Sequence, residues 1–346
     1  MAMTDLTKTI LEQMIKNIQP KIVSSPDYDI SFFGVERLHP FDTRKYGRAW
    51  HTLRREYGAE IARRTIKPEN EVSDDDLLLV HTPEYLQSLQ ESPIVARALE
   101  LVMLAGVPYN LLKNRIIRPM RLATQGTMIA AQQAAVDGLV VNLSGGYHHA
   151  SAAQGEGFCL FADVPVAIEK ARQTGALKRD QSAIIIDLDA HQGNGHERVY
   201  LDKHGVFIFD MYNQMIFPQD EHAKTRIDYG IALNAGCAGD PYLDLLFRKL
   251  PEALDRVYNP GMAFYIAGTD ITAGDALGGL KVSEEALFRR DQFVIDTLMA
   301  RGIPTVVVMG GGYSRTSYRM IARMVGYIIE TYGDARADES AIHDAG

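Results

Sequence analysis

The sequence predicts a single α/β domain built around a parallel sheet, and three observations carry that expectation. Short β-branched runs recur along the chain: Leu139-Val140-Val141-Asn142-Leu143, Ala183-Ile184-Ile185-Ile186, Val206-Phe207-Ile208-Phe209, Met262-Ala263-Phe264-Tyr265-Ile266 and Thr305-Val306-Val307-Val308. Such runs read as strands buried on both faces, as in parallel sheets. They alternate with segments of helical pattern at 121–137, 163–173 and 284–301, which is the βαβ arrangement. No low-complexity linker, repeat or shift of composition divides the 346 residues, and one α/β domain commonly runs this long.

At the N-terminus, Leu6, Ile10, Leu11, Met14, Ile15 and Ile18 form one apolar stripe. They predict an amphipathic helix within 1–20, packed on the body, since Lys8 and Lys16 give thin basic support for a membrane surface. The domain proper is expected at 21–332. A further helix should start at Asp240-Pro241, a cap residue followed by proline at the first helical position, and break or restart at Pro251. The polar stretch 333–346 reads as a frayed tail.

The chemistry concentrates where strands end. Ala183-Ile184-Ile185-Ile186 delivers Asp187-Leu188-Asp189-Ala190-His191-Gln192-Gly193-Asn194-Gly195-His196-Glu197 to the carboxyl edge of the sheet, where active sites of open α/β sheets collect. If the chain stays extended, Asp187, Asp189 and His191 share one face, because the strand period is two. Two carboxylates and an imidazole there begin a metal site, and O/N ligation suits zinc. Alone, this run could equally be a strand-end turn with solvated carboxylates.

Three more strand ends weigh against that bland reading. Gly145-Gly146-Tyr147-His148-His149 puts tandem histidines after a glycine turn, and on an extended chain they would face opposite ways. Ala267-Gly268-Thr269-Asp270 adds a carboxylate, and Met309-Gly310-Gly311-Gly312-Tyr313 places a phenol on a glycine-rich turn. Taken singly, Asp270 reads as a helix cap and Tyr313 as a packed surface ring. As a set they describe chemistry carried on loops above a rigid scaffold.

These motifs, in this order, make the chain resemble the zinc-dependent deacylases of the histone deacetylase family, most closely its class IV branch. The resemblance runs from about Lys21 to Tyr332. It includes Phe32-Phe33-Gly34-Val35-Glu36-Arg37-Leu38-His39-Pro40-Phe41-Asp42, Asp76-Leu77-Leu78-Leu79-Val80-His81-Thr82 and Gly155-Glu156-Gly157-Phe158-Cys159. It implies a three-layer arginase/deacetylase-like fold with a central, mostly parallel sheet. Asp189, His191 and Asp270 would hold one catalytic Zn2+, leaving a position for water and the substrate carbonyl. His149 would act as general base and then acid, with His148 as its electrostatic partner. Tyr313 would hydrogen-bond the developing oxyanion, and Asp187 would orient His148.

The resemblance also implies that Asp187, Asp189, His191, Asp210 and Met211 bind a structural monovalent cation, K+. Gly157, Phe158 and Phe217 would wall an acyl-lysine tunnel, although an aromatic before proline, as in Phe217-Pro218, is otherwise ordinary packing. At the partner position of the second histidine stands Asn194, where the class I pattern has aspartate. An amide accepts the imidazole N–H without adding charge, so His149 should titrate lower than beside a carboxylate.

The implied substrate is an acylated lysine in protein or peptide, or a small acylated amine, with a lean towards medium or long acyl chains. Leu101-Val102-Met103-Leu104-Ala105-Gly106-Val107-Pro108 could border an acyl pocket, or be a helix end packed in the core. Removal of acetyl groups from lysine, polyamines or small amides is the alternative. An arginase-like enzyme would need an aspartate two residues after His191, where Gly193 stands. A non-catalytic acyl-lysine binder would lack a ligand, histidine or tyrosine, and none is missing.

A net charge of −8 speaks against nucleic acid, which wants a basic surface. No run of about 18 apolar residues predicts a membrane span, and no signal-peptide core is visible. Two cysteines, Cys159 and Cys237, build no disulfide framework, so a reducing, cytoplasmic setting is expected.

Overall fold

The structure, a computed structural model, describes residues 18–31 and 42–333. Most of the expected N-terminal helix, the stretch from Phe32 to Phe41 and the tail beyond Gly333 lie outside the described residues. Residues 18–20 are irregular, with Ile18 buried and the Gln19 N–H donating to the Asp137 carbonyl.

Eight strands form one sheet: β1 (Lys21–Val23), β2 (Thr65–Ile66), β3 (Leu139–Asn142), β4 (Ser182–Asp187), β5 (Val206–Asn213), β6 (Tyr229–Leu233), β7 (Pro260–Ile266) and β8 (Thr305–Val308). Their order is β2-β1-β3-β8-β7-β4-β5-β6, and every pairing is parallel. The sheet is thus wholly, not mostly, parallel. The five apolar runs read from sequence are five of these strands. The edge strands β2 and β6, and β1 beside β2, escaped notice because they are short, or because they alternate half-buried with exposed residues.

Both faces of the sheet are covered. Ile184, Ile186, Ala263, Tyr265 and Val307 pack into one core with the helices Lys45–Tyr57, Gly239–Leu254, Glu284–Ala300 and Ser317–Tyr332. The alternate residues Ile185, Phe264, Ile266, Val306 and Val308 pack into another with the helices Arg118–Asp137 and Asp163–Thr174. The period of two in the strands therefore sorts side chains into two apolar layers, which makes the expected three-layer architecture. One expectation fails: the helix Gly239–Leu254 runs through Pro251 without a break. Leu246, Leu250, Ala253 and Leu254 bury on both sides of the proline, and that packing holds the helix together across the missing N–H.

This topology decides where the chemistry sits. The four strands that end in Asp, His or Tyr are β3, β8, β7 and β4, and these are consecutive neighbours at the centre of the sheet.

Candidate active site

The turn after β3 is built so that two adjacent histidines can share one site. Gly145 and Gly146 have φ of 76° and 77°, and a Cβ on Gly146 would meet the Gly310 nitrogen at 2.6 Å. Only glycine fits there. Asp163, fully buried at the start of its helix, pins the turn. Its Oδ2 accepts from the Gly146 N–H at 2.9 Å and the Thr127 hydroxyl at 2.7 Å, and its Oδ1 from the Tyr147 N–H at 2.8 Å. The chain turns at His148 and His149 rather than extending, so the expectation that they face opposite ways fails. Their ring centroids lie 4.1 Å apart.

Each histidine has its own orienting partner. His148 Nδ1 lies 2.8 Å from Asp187 Oδ2, and His149 Nδ1 lies 2.8 Å from Asn194 Oδ1. An amide oxygen only accepts, so His149 carries its proton on Nδ1 and keeps a lone pair on Nε2. Burial lowers both imidazoles, but the Asp187 and Asp189 carboxylates override it at His148 and hold it up to about 9. At His149 burial is joined by the neighbouring His148 and His191, and its pKa falls well below the ordinary value. The pair is thereby split into a charged and a neutral member.

Beyond β4 the chain also leaves the extended form. The Asp189 N–H donates to Asp187 Oδ1 and the His191 N–H to Asp189 Oδ1, each at 3.0 Å. Asp187 consequently turns back towards His148, and the expected common face of Asp187, Asp189 and His191 does not form. Asp270, from the end of β7, takes the third place. His191 Nδ1 is 3.0 Å from Asp189 Oδ1 and 2.9 Å from Asp270 Oδ2, and one donor atom of each residue lies within 4.8 Å of the others. All three are buried. Burial and the Asp189 charge push Asp270 up to about 7. Asp270 caps no helix; its Oδ1 accepts from the Ala190 N–H at 2.9 Å.

Tyr313 closes the site from the β8 side. Its ring centroid lies 6.0 Å from His191 and 6.0 Å from Phe158, and its N–H donates to Asp275 Oδ2 at 2.7 Å. It is therefore a site residue and not a surface ring. Burial, with Asp270 and Asp189 nearby, pushes the phenol well above its usual range, so it stays protonated. Phe217 packs edge-on to His149 at 5.1 Å between centroids, and a Cβ on Gly157 would strike the His149 ring at 2.3 Å. Gly157 and Phe158 line the cavity beside His149, and Phe217 lies against the His149 ring from the outside.

A cavity of about 70 Å³ continues inward. Leu99, Leu101, Leu104, Ile116, Met120 and Phe158 line its apolar side. The stretch 101–108 thus divides its residues. Leu101 and Leu104 face the cavity, while Val102 and Met103 are exposed on a short 3-10 turn.

Several supporting residues were given no role from the sequence. Lys45 is fully buried behind the site and donates to the Gly310 carbonyl at 3.0 Å and the Gly312 carbonyl at 3.4 Å. Arg290, also fully buried, donates to the Leu188 and Gly268 carbonyls at 3.0 and 2.7 Å. Glu156 accepts from Asn194 Nδ2 at 2.5 Å. A buried Lys or Arg looks like any other in sequence; the only hint is the loss of charge pattern around it.

Residues 39–329 match the histone deacetylase domain. The chain is 42% identical over 304 residues to histone deacetylase 2 of Arabidopsis thaliana, covering 87% of this chain and 76% of that one. It is 27% identical over 308 residues to a probable deacetylase of Methanothermobacter thermautotrophicus, covering 84% and 85%. Among solved structures it resembles an HDAC homolog complexed with SAHA, at a TM-score of 0.71 and 22% identity over 91% of this chain and 84% of that one. The fold, with a buried polar site at the sheet's carboxyl edge, is that of an open α/β protein whose chemistry collects at its strand ends. The chain belongs to the histone deacetylase family.

Proposed function

We propose that this protein is a zinc-dependent amidohydrolase that cleaves acyl-lysine amides, of the class IV branch, with residues 21–332 as its catalytic domain. One observation carries the reading: Asp189, His191 and Asp270 converge within 4.8 Å, in a site shared with the His148–His149 pair and Tyr313. The donor set fits zinc, with one imidazole and two carboxylates leaving a fourth position open. The cradle is cleared for it, since a Cβ on Gly268 would lie 2.4 Å from Asp189 Oδ2 and one on Gly311 2.4 Å from Asp270 Oδ2. When bound, zinc supplies a Lewis acid for the amide carbonyl and acidifies a water molecule.

The protein groups divide the remaining work. His149, its Nδ1–H donating to Asn194 Oδ1, would take a proton from the attacking water on Nε2 and pass it to the leaving lysine amine. His148, charged and tied to Asp187, favours negative charge developing beside it. The protonated Tyr313 donates to the oxyanion. Gly157, Phe158 and Phe217 wall the lysine stem. The main-chain carbonyls of Asp187, Asp189 and His191, with Asp210 and Met211, would serve a structural K+. No described helix is long and apolar enough to cross a membrane, and the two cysteines are free; a cytoplasmic setting suits that chemistry.

The inner cavity supports acyl chains longer than acetyl, because each methylene moved onto Leu99, Leu101, Leu104, Ile116 and Met120 gains about 0.8 kcal/mol. The test is a series of acetyl-, octanoyl- and myristoyl-lysine peptides on zinc-loaded protein, with Tyr313→Phe as control. Rates rising with chain length and lost in the variant are expected. Acetyl turnover alone would move the assignment to short-chain deacetylation. No turnover on any peptide would discard acyl-lysine as the substrate.

A further inference from the structure

Seven large apolar side chains stand exposed among the described residues, and four of them gather at the mouth of the site. Val102 is 84% exposed and Met103 56%, on a short turn between Leu101 and Leu104, which face the cavity. That turn is tied to the loop that flanks the entrance. The Phe158 N–H donates to the Ala98 carbonyl at 3.0 Å, and a Cβ on Gly155 would meet the Ala98 Cβ at 3.2 Å. Burial raises the Glu100 carboxyl, while His191 lowers it and Glu156 raises it, so the three side chains are neighbours. The other two apolar side chains come from the loop after β5. Phe217 packs edge-on to His149 and is 44% exposed. Met215, 60% exposed, is held by its N–H, which donates to Asn213 Oδ1 at 3.1 Å.

Single apolar side chains on a surface need no explanation, but a group around one opening marks an interaction surface. The remaining three are single. Val136 and Tyr258 lie just before β3 and β7, at the opposite edge of the sheet, and Leu78 follows the short helix Asp74–Leu77. What covers the group follows from its position. With an acyl group in the cavity and the lysine stem beside Gly157 and Phe158, the rest of the substrate has to lie across the mouth. Charge favours a polypeptide there over a membrane. Glu100 and Glu156 stand on the same rim and the chain carries a net −8, which opposes the anionic lipid that draws proteins onto membrane surfaces.

We propose that Val102, Met103 and Met215 form, with Phe217, an apolar rim that binds the residues flanking the acylated lysine, and that the preferred substrate is a polypeptide with large apolar side chains beside that lysine. The rim's role rests on the acyl-lysine reading above, and it selects among the substrates which that reading allows: a protein segment rather than a polyamine or another small acylated amine. An apolar flank moved from water onto these side chains gains affinity in proportion to the area covered. The contacts lie away from the reacting atoms and are equal in the ground and transition states, so they lower KM and leave kcat alone. Acidic flanks would face Glu100 and Glu156 and bind worst.

The experiment uses the full-length, zinc-loaded protein and acetyl- and octanoyl-lysine peptides of one length. The residues beside the acylated lysine are Leu and Phe, Ser, or Glu, and a capped acyl-lysine without flanks serves as reference. Wild type, the double variant Val102→Ser/Met103→Ser and Met215→Ser are assayed for kcat and KM. Binding of the same peptides, fluorescein-labelled, is read in parallel by anisotropy. The substitutions fall at exposed positions, so the variants should fold, and thermal melts check that they do. In wild type the Leu/Phe peptide should show KM and Kd about tenfold below those of the Ser peptide, at equal kcat. In both variants that advantage should shrink to about threefold or less, while the capped acyl-lysine is turned over equally by all three proteins. Equal Kd across the flanks, or a preference that the variants leave untouched, would overturn the rim, and turnover of the capped acyl-lysine would then still uphold the hydrolase reading. Turnover raised by phosphatidylcholine vesicles in wild type alone, without a flank preference, would give the rim to lipid and overturn it as well. No turnover on any substrate, with a flank preference in anisotropy that the variants abolish, would sink the hydrolase reading and keep the rim.

Discussion

Lys45 offers the sharpest test of how the site is supported. Its ammonium, wholly buried, holds the carbonyls of Gly310 and Gly312 on the turn that leads to Tyr313. Burial lowers its pKa from 10.5 to about 8, against the pull of Asp270, Asp189 and Asp275. Replacing it by methionine, similar in length but without charge or donor, has two opposed effects. The two carbonyls lose a donor, at about 1–3 kcal/mol for each orphaned group. The cost of burying the ammonium disappears, which from 10.5 − 8 = 2.5 pH units is about 3 kcal/mol. Near neutrality these offset one another, and Lys45→Met should fold. Their pH dependence does not cancel. As pH rises from 8 to 10.5, native Lys45 has released its proton while the unfolded chain still holds one, so wild-type stability must climb. Urea unfolding of both chelator-treated proteins across that range should show wild type gaining about 3 kcal/mol relative to the variant. A difference that stays flat with pH would refute the buried-ammonium argument. Activity near neutral pH should fall by about 10²-fold, because the turn carrying Tyr313 is loosened.

Two other outcomes follow from the same geometry. Asn194→Asp should raise the His149 pKa, and since a base must be neutral, the acidic limb of kcat/KM should move to higher pH. The new carboxylate would face Glu156, which now accepts from the Asn194 amide, so the double variant Asn194→Asp/Glu156→Gln should shift by more, about one pH unit or above; equal shifts in the two would sink the bridging role of Glu156. His81 is held neutral, its Nε2 accepting from the Ala162 N–H at 3.0 Å, and burial lowers it from 6.5 to about 4. The unfolded chain therefore takes up the extra proton first, and stability should fall by about 3 kcal/mol as pH drops from 6.5 to 4. His81→Gln should show a shallower acid loss in thermal melts, and an unchanged slope would rule this contribution out.

The parts of the fold that could be read from sequence were those with a local signature. Runs such as Ile184-Ile185-Ile186 and Val306-Val307-Val308 are buried on both faces and therefore uniformly apolar, so they stand out. Strand β6, with Gly230 and Ala232 exposed between half-buried neighbours, gives no such run. The site residues were legible for a related reason: a strand end followed by glycine and then Asp, His or Tyr marks where a backbone must turn sharply beside reactive groups. What misled was treating those ends as extended. The turns at 148–149 and 187–191 bring the two histidines together and send Asp187 away from Asp189 and His191.

The supporting charges were illegible, and the reason is physical. Lys45, Asp163 and Arg290 each neutralise backbone groups that belong to distant segments: Gly310 and Gly312, Gly146 and Tyr147, Leu188 and Gly268. A glycine-rich turn leaves carbonyls and N–H groups with no side chain to cover them and no room for water, so a charged side chain has to come from elsewhere in the fold. Glycine in the motif and buried charge outside it are thus two halves of one requirement. By this argument, wherever two or more glycines cluster at a buried strand end, a fully buried ionic side chain should face them. Gly310-Gly311-Gly312 with Lys45 and Gly145-Gly146 with Asp163 both obey it.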